Sequence, residues 1–360
     1  MPNLSNLMWP VYRKYLQLRL QTSAKFSRKV FACNALHGNS GYNISIHSDL
    51  TVSCNCQDFD GSGYIGNLAE ESLQEIFSGR IASGFREKLL SRDFPLDLCC
   101  TCPELILVDE SLADEYRHRY SLPHKGIMVE NTVLCNYSCR LCKRKELLKV
   151  RKEKTLPPGG IEKVAELIQE NRIGVVFFYN LGEPFLSKDV VRELNVLRQG
   201  NSDLKIVTSS NGVLLDSREK MEAALLIDHI LFSIDGTSQE SVTRYQIGGN
   251  FQKAFDHMSK LVQLRDEKGI SNTIEWRYVL FRGNDRPEQI EEAIRLSKEA
   301  KVDIISFIPG TAEFYNRSYL YKFHPFYKEL GTKCRLWEGR EIDRRGEKPI
   351  KAWAVQDLED

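Results

Sequence analysis

A chain of 360 residues is long enough to bury a large core and to hold one large domain with a smaller one beside it. The near balance of 50 Lys and Arg against 49 Asp and Glu gives no field that would attract nucleic acid or a membrane, and no apolar run is long enough to span a bilayer. No signal peptide is recognisable, so ten cysteines indicate metal or redox use in a reducing cytoplasm rather than disulfides.

The first segment, residues 1–30, is basic and has apolar residues at roughly helical spacing. These residues are Leu4, Leu7, Tyr12, Leu16 and Leu20. The pattern predicts a helix that packs on the rest of the protein, with a membrane-surface or partner-binding helix as the alternative.

Residues 31–115 hold six of the ten cysteines. Ile44–Ile46 and Leu50–Val52 predict two short strands, and the stretch from Leu68 to Leu90 predicts interrupted helices. A small module with few aliphatic residues and many cysteines needs a bound metal to hold its fold. We therefore expect a small cysteine-rich α+β domain with a metal site, which could be iron–sulfur or zinc.

After a linker, residues 124–312 alternate between strand and helix patterns, which is typical of parallel βα units. The predicted strands are Ile127–Leu134, Gly174–Tyr179, Lys205–Thr208, His229–Ile234, Ile274–Leu280 and Asp303–Phe307. Six such units predict an α/β fold with a partial (β/α)6 barrel, whose active site should lie at the carboxyl ends of the strands.

Three cysteines with the spacing C-x3-C-x2-C directly follow the first predicted strand of this barrel. They are Cys135, Cys139 and Cys142, and three soft thiolates suit an iron–sulfur cluster or zinc. Three ligands on a four-iron cluster would leave one iron open to another molecule. A zinc knuckle or a chance run of reduced cysteines is the alternative at this point.

Polar residues follow the next three predicted strands. Asn180-Leu181-Gly182-Glu183-Pro184 comes after the second strand, Ser209-Ser210-Asn211-Gly212 after the third, and Ser233-Ile234-Asp235-Gly236 at the end of the fourth. Glycine permits close approach of the backbone to a ligand, and a carboxylate can accept a hydrogen bond from an ammonium group. Their order and placement, rather than any single run, predict a ligand site.

The cysteine spacing together with these strand-end runs resembles the radical S-adenosylmethionine (radical SAM) superfamily. The resemblance implies a [4Fe-4S] cluster on the three cysteines, with the open iron chelated by the amino and carboxylate groups of S-adenosylmethionine (SAM). One electron then cleaves SAM to a 5′-deoxyadenosyl radical, which abstracts hydrogen from a substrate. It also implies a reducing partner such as flavodoxin or ferredoxin.

The resemblance also implies SAM contacts. Leu181 to Pro184 is similar to the family's G-G-E-P motif, with Leu181 in place of the first glycine, and that motif holds the SAM amino group. The implied contacts are Gly182, Glu183 and Pro184 for the amino group, Ser209, Asn211, Ser233 and Asp235 for the ribose and methionine ends, and Arg244 for the carboxylate.

A second resemblance lies in the cysteine-rich segment. The run Tyr64-Ile65-Gly66-Asn67-Leu68, the following Glu71 to Ile76 and the pair Cys99-x2-Cys102 resemble the SPASM/twitch auxiliary-cluster domain. That domain usually follows the barrel, whereas here it precedes it. It implies an auxiliary [4Fe-4S] cluster on Cys33, Cys54, Cys99 and Cys102, with Cys56 and Cys100 as open alternatives.

A basic run extends from Arg140 to Lys154, interspersed with Glu146 and Glu153. It predicts a solvated helix face, or alternatively a surface that attracts an anionic substrate. Residues 313–360 form a C-terminal extension that contains Cys334. This cysteine is either a small buried apolar residue or a hydrogen-atom donor to a substrate radical, as in radical SAM epimerases.

We therefore expect a radical SAM oxidoreductase that oxidises a polar small molecule, such as a sugar or an aminoglycoside-like alcohol, with help from an auxiliary cluster. Redox-neutral epimerisation and modification of a ribosomal peptide are the alternatives. A non-catalytic iron–sulfur or zinc protein is a more remote one.

Overall fold

The computed structural model describes residues 4–56, 58–310, 316–326 and 351–354. The chain divides into two compact units. One holds the described residues up to Glu130 and Glu146–Phe177, and the other holds Asn131–Lys145 and the described residues from Phe178 onward. Among these residues no helix is both long and apolar enough to cross a membrane, and the nine cysteines that the structure describes are free thiols.

The first unit contains a five-stranded mixed sheet and a separate strand pair. The strands up to Phe177 are β1 (Lys29–Cys33), β2 (Ser45–Ile46), β3 (Thr51–Ser53), β4 (Tyr64–Asn67), β5 (Leu105–Asp109), β6 (Gly126–Val129) and β7 (Val175–Phe177). The helices up to Asn171 are α1 (Leu4–Phe26), α2 (Leu73–Ser78), α3 (Arg80–Leu90), α4 (Ala113–His118), α5 (Arg144–Val150) and α6 (Gly160–Asn171).

Strand pairing in this unit joins the cysteine-rich segment to the first barrel strands. β6 is parallel to both β2 and β7, β3 is antiparallel to β2 and β4, and β1 pairs antiparallel with β5. The two short strands expected near residues 44–52 are confirmed as β2 and β3. The β1–β5 pair was not predicted, because each strand is short and carries no clean apolar alternation.

Arg151 corrects the prediction that the whole basic run is solvated. Its guanidinium is buried, and its Nε donates to the Glu130 carboxylate at 3.0 Å. A second nitrogen lies 2.8 Å from Nδ1 of the buried His47. The reason is the buried acid that directly follows β6. Burial raises the pKa of Glu130, and the adjacent cation opposes that rise. Arg151 therefore joins the end of α5 to the end of β6.

The second unit is a mostly parallel sheet flanked by helices. Its strands are β8 (Lys205–Ser210), β9 (His229–Ser233), β10 (Thr273–Leu280), β11 (Ile304–Pro309) and β12 (Lys351–Ala354). Its helices are α7 (Val190–Gln199), α8 (Arg218–Ala224), α9 (Gln239–Thr243), α10 (Phe251–Lys268), α11 (Pro287–Glu299) and α12 (Leu320–Phe323). β8 to β11 are parallel neighbours in chain order, and β12 pairs antiparallel with β11.

Alternation along β10 shows how this unit is packed. Trp276 and Tyr278 are fully buried, and the faces of α10 and α11 that carry Met258, Leu261 and Ile290 are buried as well. The odd-numbered positions of β10 point the other way, because side chains alternate along a strand. Parallel strands alternating with helices confirm the predicted α/β class.

The first barrel strand ends earlier than predicted, at Val129 rather than Leu134. Beyond it, the Asn131 amide donates to the Pro184 carbonyl at 3.1 Å and to the Glu193 carboxylate at 2.8 Å. The Glu183 N–H donates to the Leu134 carbonyl at 2.8 Å. Hydrogen bonds from the Asn131 side chain and from the Glu183 backbone thus hold this segment, in place of the hydrogen bonds of a strand ladder.

Candidate cofactor site

The cysteine motif lies in the loop between β6 and α5, and two backbone hydrogen bonds anchor it. Ser138 N–H donates to the carbonyl of Ile247 at 2.9 Å, and Arg140 N–H donates to that of Tyr245 at 2.8 Å. Both acceptors lie in the segment that follows α9. The loop that carries the cysteines is therefore fixed by contacts far away in the sequence.

The thiols of this loop raise the pKa values of Cys135 and Cys139. Burial raises the pKa of Cys135 to about 11 and raises that of Cys139 even further. The charge of Cys142 adds to the rise for both, and that of Cys135 adds to it for Cys139. A bound metal would have to displace these protons, since thiolates are the ligands.

The donor set fits an iron–sulfur cluster in its chemistry. Three soft sulfurs on one loop suit iron–sulfur ligation. In the described part of the chain, no three His, Cys, Asp or Glu side chains are placed to hold a single metal ion. A four-iron cluster is bulkier than one ion, and its thiolates stand further apart.

A cavity of about 180 Å³ opens beside the cysteines. Most of the strand-end residues named from the sequence line it together with two of the cysteines. These lining residues are Cys135, Cys139, Gly182, Glu183, Ser209, Asn211 and Ser233. The carboxyl ends of β8 and β9 therefore converge with the cysteine loop, as expected for parallel strands.

Gly182 permits the closest approach in this site. A Cβ at this position would lie 2.0 Å from the Thr132 carbonyl oxygen and 3.0 Å from that of Leu134. Real Cβ contacts are never that short, so only glycine lets the two loops touch. This contact places Glu183 directly beside the cysteine loop.

Glu183 is buried and held by three hydrogen bonds. Its Oε1 accepts from the Ser210 hydroxyl at 2.8 Å and from Phe185 N–H at 3.2 Å, while Oε2 accepts from Asn211 N–H at 2.8 Å. Burial nevertheless raises the pKa of Glu183 to about 7. A cationic ligand group would stabilise its ionised form, and this carboxylate is therefore suited to an ammonium partner.

Asn211 connects the end of β8 to the cysteine loop. Its Nδ2 donates to Asn136 Oδ1 at 2.8 Å and lies 4.0 Å from the Cys135 sulfur. Ser233, at the end of β9, lines the same cavity from the next strand. Residues at two successive strand ends thus line one cavity.

Three residues predicted to contact SAM are not among the lining residues of this cavity. Pro184 starts a short 3₁₀ turn, and its carbonyl accepts from Asn131. The Asp235 carboxylate accepts from Val279 N–H at 2.9 Å, so it ties β9 to β10. The Arg244 guanidinium packs against Gly283. Cys334 lies outside the described residues.

The structure also places residues at the cavity that the sequence reasoning missed. Gln246 lines it and donates to the Ser233 carbonyl at 2.8 Å, while its Oε1 accepts from Asp235 N–H at 3.0 Å. Tyr137 and Arg277 line it as well. The signal for Arg277 was its place on β10, where it and Glu275 are charged residues two positions apart on one face. Gln246 carried no such signal.

A second, smaller cavity of about 20 Å³ gathers the cysteines of the first unit. It is lined by the four that the auxiliary-domain resemblance named, Cys33, Cys54, Cys99 and Cys102, among apolar side chains. Burial raises the pKa of each thiol, to about 12 for Cys33, Cys99 and Cys102, and their charges reinforce one another. Four soft sulfurs that line one cavity fit a thiolate-ligated cluster in their chemistry.

The two alternative cysteines are not among the residues that line this cavity. The Cys100 thiol instead donates to the Asp97 carbonyl at 3.2 Å. Cys56 lies near enough for its charge to act on Cys102. The geometry therefore favours Cys54 over Cys56 and Cys99 over Cys100.

Comparison with known proteins gives one family match and one curated relative of note. The model of the radical SAM superfamily matches residues 129–313. A protein of Pyrococcus abyssi, described as a probable GTP 3′,8-cyclase, is 24% identical over 171 residues, which are 46% of this chain and 55% of that protein. The chain thus spans about half the length of this relative.

Solved structures give weaker likenesses. SuiB of Streptococcus suis has a TM-score of 0.46 at 14% identity, with 61% of this chain and 49% of that chain covered. TYW1 with a lysine–pyruvate adduct bound has a TM-score of 0.42 at 16% identity, with 62% of this chain and 77% of that chain covered. The family match covers more than half of the sequence, and the chain belongs to the radical SAM superfamily.

Proposed function

We propose that the chain binds a [4Fe-4S] cluster through Cys135, Cys139 and Cys142 and SAM in the adjoining cavity. One observation carries the proposal: Cys135, Cys139 and the buried Glu183 line the same cavity. When bound, the cluster and SAM supply reductive cleavage to a 5′-deoxyadenosyl radical that abstracts hydrogen from a substrate. A reducing partner such as flavodoxin or ferredoxin would deliver the electron.

The side chains around the cavity have separate tasks in this proposal. Glu183 would accept the SAM ammonium, since it is the buried carboxylate that lines the cavity together with Cys135 and Cys139. Ser209 and Ser233 line the cavity, and their hydroxyls would bind the ribose. Val279 and Ile308 add apolar walls that exclude water from a reactive intermediate.

We further propose that Cys33, Cys54, Cys99 and Cys102 hold an auxiliary [4Fe-4S] cluster in a SPASM/twitch-like module at residues 31–115, ahead of a barrel at residues 124–312. The convergence of these four thiols on one cavity supports it. Such a cluster would accept the electron left on the substrate after hydrogen abstraction. The enzyme would then be an oxidoreductase acting in a reducing compartment such as the cytoplasm.

The proposed substrate is a polar small molecule, such as a sugar or an aminoglycoside-like alcohol. Polar groups among the lining residues support a polar substrate. The relative described as a probable GTP 3′,8-cyclase supports a small molecule over a peptide. Redox-neutral epimerisation would need a hydrogen donor, and the candidate Cys334 lies outside the described residues.

Iron and sulfide content after anaerobic reconstitution, measured together with 5′-deoxyadenosine formation, tests both clusters. We expect about eight irons per chain in the wild type and about four in Cys135→Ala/Cys139→Ala/Cys142→Ala. Only the wild type should form 5′-deoxyadenosine. A triple variant that still cleaves SAM would refute the cluster assignment.

Adjacent cysteines provide a matched control for the auxiliary site. Cys99→Ala should lose auxiliary iron, whereas Cys100→Ala should keep it, because only Cys99 lines the cavity. About four irons in the wild type, with zinc in the first unit, would remove the electron-accepting role. Product analysis in deuterated water then separates oxidation, which lowers product mass, from epimerisation, which installs solvent deuterium.

A further inference from the structure

Strand β10 carries two charged residues at inward positions within a buried segment. Glu275 is fully buried, and Arg277, two residues later on the same face, is 15% exposed at its side chain. The Arg277 side chain lines the cofactor cavity. Burying a guanidinium costs desolvation free energy unless a counter-charge compensates it.

Glu275 supplies the counter-charge and fixes the arginine. Its Oε1 accepts from Arg277 Nε at 3.0 Å and from the Ser306 hydroxyl, and its Oε2 lies 2.9 Å from His229 Nε2. Burial raises the pKa of Glu275, but the Arg277 charge and these hydrogen bonds outweigh it and hold the pKa at about 2. The carboxylate is therefore ionised, and it orients Arg277 through one edge of the guanidinium.

The arginine enters the cavity from a different strand than the residue that contacts Glu183 and approaches Cys135. It is paired with Ser233 across β9 and β10, whereas Asn211, which approaches Cys135, follows β8. Strand β9 therefore lies between β8, which Asn211 follows, and β10, which carries Arg277. The cavity therefore has Glu183 and Cys135 beside the end of β8 and a cation on β10.

We infer that Arg277 binds an anionic group, a carboxylate or a phosphate, of the ligand that fills this side of the cavity. Guanidinium groups recognise such anions with paired hydrogen bonds. The inference rests on the proposed function, because it takes the cavity as the ligand site. Two sources could supply the anion: the substrate or the SAM carboxylate.

The geometry assigns the anion to the substrate. The amino and carboxylate groups of SAM are attached to one carbon. If Glu183 holds the amino group, the carboxylate stays near Glu183, which contacts the end of β8, and β9 lies between β8 and the Arg277 strand β10. The substrate is then an anionic small molecule, such as a phosphorylated or carboxylated one, with Arg277 as a specificity residue.

The test compares Arg277→Gln with Arg295→Gln, an exposed arginine on α11 that pairs with Glu292 and Glu299. One arm measures the thermal shift given by inorganic pyrophosphate at constant ionic strength, without SAM. We expect the shift in the wild type and in Arg295→Gln and its loss in Arg277→Gln. The other arm measures SAM affinity of cluster-loaded protein by equilibrium dialysis, where we expect less than about a threefold change.

A loss of SAM affinity of about tenfold or more in Arg277→Gln would support the anion site but identify the SAM carboxylate as its source. Unchanged pyrophosphate shift and unchanged SAM affinity would overturn the inference. A wild type that responds to pyrophosphate but does not bind SAM would instead refute the proposed function and leave the anion site standing. Arg277→Lys keeps a cation beside Glu275 and serves as the second variant if Arg277→Gln does not fold. It should lose most of the pyrophosphate shift, because lysine cannot form the paired hydrogen bonds of a guanidinium. Full retention of the shift would contradict the inference.

Discussion

A buried carboxylate is costly unless it has partners, and Glu183 has three within hydrogen-bond distance. These bonds do not compensate for burial, since its pKa stays raised to about 7. The residue is thus poised to ionise when a cation arrives. At the scale of single residues, the site combines this carboxylate with a glycine that lets two loops touch.

Glu183→Gln should weaken SAM binding by about tenfold or more, because the amide removes the charge that an ammonium pairs with. In the wild type, SAM affinity should fall about tenfold per pH unit below pH 7, since the ligand must then displace a proton from the raised-pKa acid. The glutamine variant should show no such slope. Equilibrium dialysis between pH 5.5 and 8.5, a range of about three units around the pKa, measures both.

Glu193→Gln is the matched control for this prediction. Burial also raises the pKa of Glu193 to about 7, but this residue bonds Asn131 and Ser187 and is not among the cavity-lining residues. It should leave SAM affinity and its pH slope unchanged. An equal loss in both variants would show that the effect is general destabilisation.

Gly182→Ala should abolish SAM binding and lower stability, because its Cβ would lie 2.0 Å from the Thr132 carbonyl oxygen. We expect a loss of about 2 kcal/mol or more in the free energy of unfolding, from strain that backbone atoms cannot relieve. Gly84→Ala is the comparison, since nothing lies within 4 Å of its added Cβ and the site is helical. It should be neutral or slightly stabilising in denaturant melts.

At the scale of elements, side chains decide where strands and helices stop. β6 ends at Val129, and the next residue, Glu130, is fully buried against Arg151 beyond α5. A buried ion pair is a poor source of net stability, yet removing one partner leaves an uncompensated charge. The junction between β6 and α5 should therefore be sensitive to single substitutions.

Arg151→Met should destabilise the protein by about 3–5 kcal/mol, because it leaves Glu130 buried without its cation. Glu130→Gln/Arg151→Met should recover a large part of that loss, since the buried charge is then absent. Chemical denaturation of the wild type, Arg151→Met, Glu130→Gln and the double variant gives the coupling. Arg218→Met, which removes an exposed pair with Glu222, should change the midpoint very little; a similar loss there would contradict the role of burial.

At the scale of the whole molecule, each of the two units gathers its own set of cysteines. Cys135 and Cys139 line a cavity in one unit, and the four cysteines of the other line a separate apolar cavity. In the first unit, burial raises the thiol pKa values to about 12 at three positions, so the thiols are protonated without a metal. Metal binding should therefore couple to folding.

Removing iron from the reconstituted protein should lower its melting temperature by about 5 °C or more, because a ligand that binds only the native state stabilises it. The difference should shrink in Cys99→Ser/Cys102→Ser, which cannot complete the auxiliary site. Cys100→Ser should behave like the wild type. Differential scanning calorimetry under anaerobic conditions measures these values, and an equal shift in all three proteins would exclude a metal at the four-cysteine cavity.

The sequence by itself determined what depends on neighbours in the chain. The C-x3-C-x2-C spacing, the order of polar runs after successive strands and the alternation of strand and helix were readable because each is local. Six barrel strands were found with ends misplaced by up to five residues, as at Val129. Strand ends shifted because hydrogen bonds to distant loops, not local propensity, decide them.

Only the tertiary structure decided which distant side chains share a space. It gathered Cys33, Cys54, Cys99 and Cys102, buried Arg151, and brought Arg277 rather than Arg244 to the cavity. These outcomes depend on strand pairing and on burial energies, which join residues far apart in the chain and leave no local pattern. The chemistry of the site was readable from residue types, but its shape and its charge distribution were not.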